Sequence, residues 1–382
     1  MEISKKQAAL LILKQHGLLE KVARRDCLRL IGRICGVQAQ AKWPSEIAMW
    51  NRVKDYAFDD LRRLLYEDKV LVKIWCMRGT QHIVPAMDIA VFLQGTSPEW
   101  LTASARALAQ QGRWTREERL ERIYPILERI LRKGPLARRR VVEALRGAGI
   151  PAVELNAEGL AKEACYLAVA VPGPEDNRGT SSRGPTMTLL STWLPKPTSP
   201  PAPPLEATAI LLKRYFTSYG PASLADAAYF LGARMSRLRP AFQLIHQELR
   251  SIKVYEEPGA QWVAVESEKA LDSLDDEVEP PLKFLGAFDQ ILLGFKEKTR
   301  FVPSRHLKQI YRPSGNMAHP ILVQGKVAGV WSWKKHGREV EVISKLFESP
   351  DDTVKTRVRA EAEAMSTFLS SMADESERKP NG

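Results

Sequence analysis

Cysteine is scarce in this chain. There are four in 382 residues, at Cys27, Cys35, Cys76 and Cys165, and no two of them form a CxxC pair. The six histidines are scattered. That spacing assembles neither a zinc site nor a disulfide framework, so no metal and no cofactor are expected, and the thiols read as buried and free. Long apolar runs are missing too: nothing approaches the ~18 residues of a membrane span. The segment from Met1 to Gly17 has the periodicity of an amphipathic helix rather than of an apolar export leader. We therefore expect a cytoplasmic chain with no membrane partner.

What the chain has in excess is positive charge. It carries 57 Lys and Arg against 45 Asp and Glu, a net +12, with a sequence pI near 9.5. Such a surface attracts polyanions through Coulomb steering and counterion release. Charge alone leaves nucleic acid and an ordinary basic surface equally open. The length implies two to four packed units.

The order of elements narrows the fold. Apolar spacing predicts helices over residues 4–16 and 25–36, a third from Pro44 and a fourth near Phe58. A strand-rich pair follows, Val70–Trp75 and Met77–Pro85. Helices followed by a β-hairpin are the winged-helix plan. The pattern returns with helices over 116–132, 137–147 and 157–168 and strands over 166–171 and 186–192. A third copy has helices over 206–217, from Ser223 to Phe230, and over 236–249, with a hairpin over 252–256 and 261–265. Lys133-Gly134-Pro135-Leu136 and Tyr219-Gly220-Pro221-Ala222 fall at equivalent points between helices. Residues 319–345 read as a β-meander with turns at Gln324-Gly325 and His336-Gly337. That second turn would set Lys334 opposite Glu339, Trp333 opposite Val340 and Trp331 opposite Val342. The expected fold is α+β, mainly helical, with tandem winged-helix units and a C-terminal β-rich subdomain. Its divisions are 1–95, 96–194, a Pro-rich linker 195–204, 205–275, 276–372 with a last helix from 352 to 371, and a disordered tail 373–382.

Candidate contact residues fall in clusters. Arg138, Arg139 and Arg140, with Arg132 and Lys133, flank a helix-turn-helix, where they either neutralise phosphates or form a solvated helix face. Lys334, Lys335 and Arg338 sit at a hairpin tip, where they either brace a phosphate backbone or guard a β-edge. Arg78, Thr80 and His82 alternate along the first wing, so they can share one face; His82 either meets a phosphate or is a hydrogen-bonded structural histidine. Asp289 follows an apolar run and either caps a turn or reaches into a cleft. Gly36-Val37-Gln38-Ala39-Gln40 carries two amides that period two would place on one face. Amides orient water or a sugar but are not strong bases. A bare QxQ arises by chance about once in a chain of this length, and taken alone it reads as a bridge to backbone groups at a helix end.

Together, several segments resemble the AlkZ-like, or YcaQ-type, winged-helix DNA glycosylase family. They are the helix leading to Gln38-Ala39-Gln40, the run Met77-Arg78-Gly79-Thr80-Gln81-His82-Ile83-Val84-Pro85, Arg214-Tyr215-Phe216 with Tyr219-Gly220-Pro221-Ala222, Leu285 to Gly294, and Pro320 to Trp331. The match runs from about residue 8 to residue 345. Gln81 departs from the Leu or aromatic residue common in the family, and the loop Pro172–Pro185 is long. The resemblance implies winged helices around a DNA-binding cleft and hydrolysis of the N-glycosidic bond of alkylated purines in duplex DNA, in some members including interstrand crosslinks. It carries the catalytic QxQ pair over to Gln38 and Gln40. The expectation is a nucleoid-associated, monomeric, monofunctional glycosylase of cationic alkylpurines. The alternative is a non-enzymatic winged-helix DNA-binding protein or transcription regulator.

Overall fold

Ser4 starts the first helix: its Oγ accepts from the Gln7 N–H while the Gln7 side chain accepts from the Ser4 N–H, a reciprocal cap of two otherwise orphaned donors. The helix Lys5–Gln15 that follows buries six consecutive residues, Ala8 to Leu13. It is therefore enclosed on nearly every side rather than lying amphipathically on a surface. Ahead of it, a short strand not foreseen from the sequence, Glu2–Ile3, pairs in parallel with Lys253 and Val254. The computed structural model describes residues 1–96, 98–174, 185–194, 202–255, 257–272, 274 and 277–377. Most of the long loop after Pro172, most of the Pro-rich linker and the last five residues of the expected tail lie outside the described residues. The fold is α+β and mainly helical. Among the described residues no helix is long and apolar enough to cross a membrane.

The chain divides into two compact units. The first comprises Met1–Leu61, Leu212–Phe230 and Phe242–Gly382. Its main sheet is antiparallel, with His319–Val323, Lys326–His336 and Glu339–Leu346 in chain order and Lys283–Phe284 at one edge. The turn at Gln324-Gly325 forms as expected, both residues having positive φ. The second turn shifts by one residue. His336 pairs with Glu339, so Gly337 and Arg338 are the central pair. Gly337, at φ 60°, takes the first central position, where hairpin turns need positive φ. Consequently Lys334 faces Glu341, Trp333 faces Val342 and Trp331 faces Ser344. The expected partners were wrong, but the slip moves each pairing by two residues, so every side chain keeps its face.

Two outward N–H groups of the outer strand of this sheet are capped by side chains. The last helix, Asp352–Glu377, supplies Ser370 and Ser366, whose hydroxyls accept from the Val340 and Val342 N–H groups at 2.9 and 3.0 Å. Covering an edge with a helix removes a template for strand addition. The helix runs past its expected end at residue 371 and takes in residues 373–377, the first five of the tail expected to be disordered.

The first unit is fastened by a buried ion pair. Arg52, at the end of the helix Lys42–Trp50, makes two parallel bonds to Asp289, Nη1 to Oδ2 at 2.8 Å and Nη2 to Oδ1 at 2.7 Å. Both side chains are wholly buried. Arg52 also donates to Ala48 O, and the neighbouring Asn51 donates to Phe284 O at 2.9 Å. Asp289 Oδ1 in turn accepts from Ile291 N. Of its two sequence readings, Asp289 is thus a turn cap, and its remaining capacity holds a cation.

The second unit comprises Arg62–Leu211 and Leu231–Ala241. Leu71–Trp75 and Gln81–Pro85 form its first hairpin. The helix expected over 116–132 is two, Arg116–Arg122 and Tyr124–Leu131, because Pro125 has no N–H to continue the ladder. Next come the strand Leu136–Ala137, the helices Arg138–Gly147 and Ala157–Tyr166, and the strands Ala170–Pro172 and Thr186–Leu189, the last lying centrally in a three-stranded sheet. Residues 186–192 do not stay extended: from Leu190 to Trp193 they turn helical. Arg119 is buried between Glu154 and Glu163, at 2.9 and 2.7 Å. The helices Ile89–Thr96 and Pro98–Gln110 were not among the elements expected from the sequence.

Replacing Asp289 by Ala leaves a buried guanidinium uncompensated. Chemical denaturation is expected to show a loss of about 3–5 kcal/mol, and the double change Arg52→Met with Asp289→Leu to recover most of it.

Candidate active site

The turn that presents Gln38 and Gln40 is held from both sides. The helix Cys27–Arg33 ends, and Cys35 and Gly36 follow at φ 58° and 85°. The Gly36 N–H returns to Ile31 O at 2.7 Å, so two consecutive left-handed residues reverse the chain. Ser218 Oγ donates to Arg33 O at 2.7 Å and Tyr219 Oη to Ile34 O at 3.0 Å, satisfying the orphaned carbonyls of the helix end. Tyr219 is itself fixed, stacked on Tyr215 and packed edge-on against His16. A Cβ at Gly294 would lie 2.4 Å from its ring, so only glycine allows that approach. His16 beside it is fully buried and its pKa is pushed well down, chiefly by burial and then by Arg52.

From this turn the chain is extended only over Val37–Gln38. Val37 and Ala39 are buried, Gln38 is 7 % exposed and Gln40 is exposed. The period-two argument for a shared face therefore reaches Gln38 and stops, because Gln40 lies in a bend before the next helix. That helix, Lys42–Trp50, begins after Ala41 with no side-chain cap. Its first turn is locked in place, since a Cβ on Gly286 would stand 3.0 Å from Pro44 O. Within the loop from Gly36 to Ala41 there is no acid. The nearest carboxylate that follows, Glu46, is buried and accepts the Tyr56 hydroxyl.

Beside this loop lies an aromatic group that the sequence reading missed. Trp43 stacks on Trp333, with centroids 5.8 Å apart and planes 23° apart. Trp331 lies 5.6 Å from Trp333, and His319 is 5.0 Å from each of those two indoles. The available signal was the alternation that puts Trp331 and Trp333 on one face, read only as cross-strand packing. The hairpin tip beyond carries Lys334, Lys335 and Arg338, all exposed. His336 pairs with Glu341 at 3.2 Å.

The second unit holds the remaining candidates. Arg78 does not alternate with Thr80 and His82 along a strand. It sits in a tight turn at φ 55°; the backbone becomes extended at Thr80, and the paired strand starts at Gln81. A Cβ on Gly232 would come within 2.9 Å of Arg78 N, so the two backbones are in close contact. His82 is 2 % exposed, with Nδ1 3.2 Å from Thr80 O and Nε2 3.5 Å from Arg78 Nη2. A carbonyl only accepts, so Nδ1 carries the proton and Nε2 faces the guanidinium with its lone pair. Burial, with the Arg78 charge behind it, lowers the His82 pKa to about 3. Of its two sequence readings, the structural histidine is the one this geometry fits: its imidazole steadies Arg78 and has no free face for a phosphate. Arg138 is also partly withdrawn, lying 4.9 Å above the Trp75 ring. Arg139 and Arg140 are exposed, and Arg139 pairs with Glu143. All four cysteines are buried and free.

Residues 31–368 match the family model described as DNA glycosylase AlkZ-like. The chain belongs to the AlkZ-like DNA glycosylase family. It is accordingly a hydrolase of N-glycosyl bonds with DNA as its partner. An interstrand DNA cross-link repair glycosylase from Streptomyces sahachiroi is 27% identical over 327 residues, covering 83% of this chain and 85% of the relative. Among solved structures, the Streptomyces sahachiroi DNA glycosylase AlkZ superposes with a TM-score of 0.76 at 23% identity, covering 97% of both chains. That likeness shows a shared fold.

In this AlkZ-like glycosylase the Gln38 turn and the Arg78 turn both depend on buried, uncharged imidazoles, His16 and His82. For His82 the folded pKa lies below the ordinary value, so between the two the unfolded chain binds the proton. Stability is then fully present above the ordinary histidine pKa of about 6.5 and falls as pH drops toward the folded value, by up to ~1.4 kcal/mol per pH unit for this group. Urea denaturation at about pH 7.5 and about pH 5 is expected to show that loss, and His82→Gln to reduce it, leaving the share of His16 and His319.

Proposed function

We propose that this glycosylase excises cationic alkylpurines of the N7-alkylguanine type from duplex DNA, interstrand crosslinks included, with Gln38 and Gln40 as its catalytic pair. The observation that carries the reading is the QxQ sequence on a rigidly held turn of an AlkZ-like chain. The relative from Streptomyces sahachiroi is named for cross-link repair, which supports crosslinks as substrates here.

The chemistry suits amides. An N7-alkylguanine already bears positive charge, so the base leaves without a general acid. What remains is to stabilise an oxocarbenium-like sugar and to deliver water. The Gln38 carbonyl, held in a nearly closed environment, supplies a fixed dipole for the developing positive charge. Gln40, exposed, orients the water. The engaged state of Glu46 agrees with a reaction that needs no strong base from this region.

Three segments share one order of helix, short extended stretch, two helices and hairpin in the manner of winged helices. Two are in the region around Tyr124–Leu189 and the region around Pro204–Ala264, where Ala222 bridges to Trp262 beside the strand pair. The first, ahead of Leu71–Pro85, is the least regular. In this reading Arg78, Thr80, Arg138, Arg139, Arg140, Lys334, Lys335 and Arg338 contact the DNA backbone, and His82 acts by holding Arg78.

Release of N7-methylguanine from alkylated duplex DNA tests the reading. Gln38→Ala and Gln40→Ala are each expected to slow release about 10²–10³-fold with the fold retained. Wild-type release no faster than spontaneous depurination, on both simple and crosslinked lesions, would falsify it. Each phosphate-contacting residue removed is expected to lower the slope of log affinity against log salt by about 1.

A further inference from the structure

We infer that Trp43 and Trp333 form a stacking surface that holds the positively charged purine ring of the lesion and favours it over a neutral purine. The inference rests on the proposed alkylpurine substrate and names the part of the site that recognises its charge.

Position comes first. Trp43 follows Gln40 by three residues and stands in the first turn of the helix Lys42–Trp50. Pro44, next to it, lies close against Gly286, which fixes the backbone that carries Trp43. Trp333 reaches the same place from the sheet. Beneath them Trp331 is the floor: it is 3 % exposed, and its Nε1 donates to Leu285 O at 2.9 Å. Trp43 and Trp333, by contrast, are only half-buried. The pair is thus supported from below and keeps ring surface open.

Charge comes second. The surface continues directly into Lys334, Lys335 and Arg338, a combination of aromatic faces and cations that suits a nucleic-acid strand. The basic residues meet phosphates, whereas the indoles present the electron-rich faces that attract a cationic ring most strongly. For that preference to survive, the third ring in the group must not itself be charged. His319 accepts from the Ala287 N–H through Nδ1 at 3.1 Å, which fixes Nε2 as the protonated nitrogen of a neutral imidazole. Burial, with Arg312 nearby, brings its pKa down to about 4. A neutral purine stacks on the same indoles but lacks the cation–π attraction.

The test uses two duplexes that cannot be cleaved. One carries N7-methylguanine on a 2′-fluoro-arabinose sugar, a cation resistant to hydrolysis; the other carries its uncharged isostere, 7-methyl-7-deazaguanine. The wild-type chain is expected to bind the cationic duplex about tenfold more tightly, with quenched tryptophan fluorescence. Trp43→Leu and Trp333→Leu should bring that preference to about twofold and remove most of the quenching, while Trp333→Phe should retain an intermediate preference. A purely structural role would weaken both duplexes alike. Equal wild-type affinity for the two duplexes, or an unchanged preference in both Leu variants, overturns the inference. If the Leu variants do not fold, Trp43→Phe and Trp333→Phe decide by the same ratio. Release of N7-methylguanine from natural duplex by the wild type is measured alongside, so failure of the substrate reading is seen separately.

Discussion

The bonds between Arg52 and Asp289 are the constraint on which the first unit depends. A bidentate guanidinium–carboxylate pair excluded from water tolerates little displacement, since each charge lost from its partner is left in a low-dielectric interior. The pair ties the far end of the helix Lys42–Trp50 to the segment around Asp289, and Asn51 reinforces it through Phe284 O. At the near end, Pro44 presses on Gly286 of the same segment. One helix is thus pinned at both ends to one stretch of backbone. The loop of Gln38 and Gln40 lies between that pinned helix and a turn sealed by Ser218 and Tyr219. Fixed dipoles stabilise a developing charge only when they need not reorganise, and this scaffold provides that rigidity.

Much of this was legible in the sequence, for identifiable reasons. Ser223 was readable as a helix cap because a serine before an apolar run can accept from the first turn, and its Oγ accepts from the Asp226 N–H at 3.1 Å. The Gln324-Gly325 turn was readable because few dipeptides accept two positive φ values. Long-range partners left no such local mark. Nothing near Arg52 announces a carboxylate 237 positions away. The hairpin at Gly337 shows the limit of register arguments: charge and aromatic matching favoured one pairing, while the backbone demand of a single glycine selected the next. The glutamine pair itself was a chance-level pattern until neighbouring motifs gave it a setting. Of the tryptophan pair beside it, only Trp333 was visible, as a strand residue, and its stacking on Trp43 left no local mark.

The treatment of histidine is a second theme. His16, His82 and His319 are all kept neutral, each by burial first and then by a nearby arginine. In a chain with net charge +12, hidden imidazoles beside guanidinium groups add no further positive charge to the interior. Their lone pairs instead accept hydrogen bonds, from Ala287 N in one case and toward Arg78 in another. Arginine supplies the permanent charge, and histidine sets direction without adding to it.

The serine-capped sheet edge has a consequence for how the protein is made. Val340 and Val342 find their hydrogen-bond partners only on a helix that follows them in the chain. During synthesis the strand leaves the ribosome before the helix that covers it, so for a time the nascent sheet has an open side. The glycine-turned hairpin can close early, since its contacts are local. The edge cannot. In the interval before Ser366 and Ser370 arrive this edge is open to pairing with a neighbouring copy, and the speed with which the last helix docks sets its length.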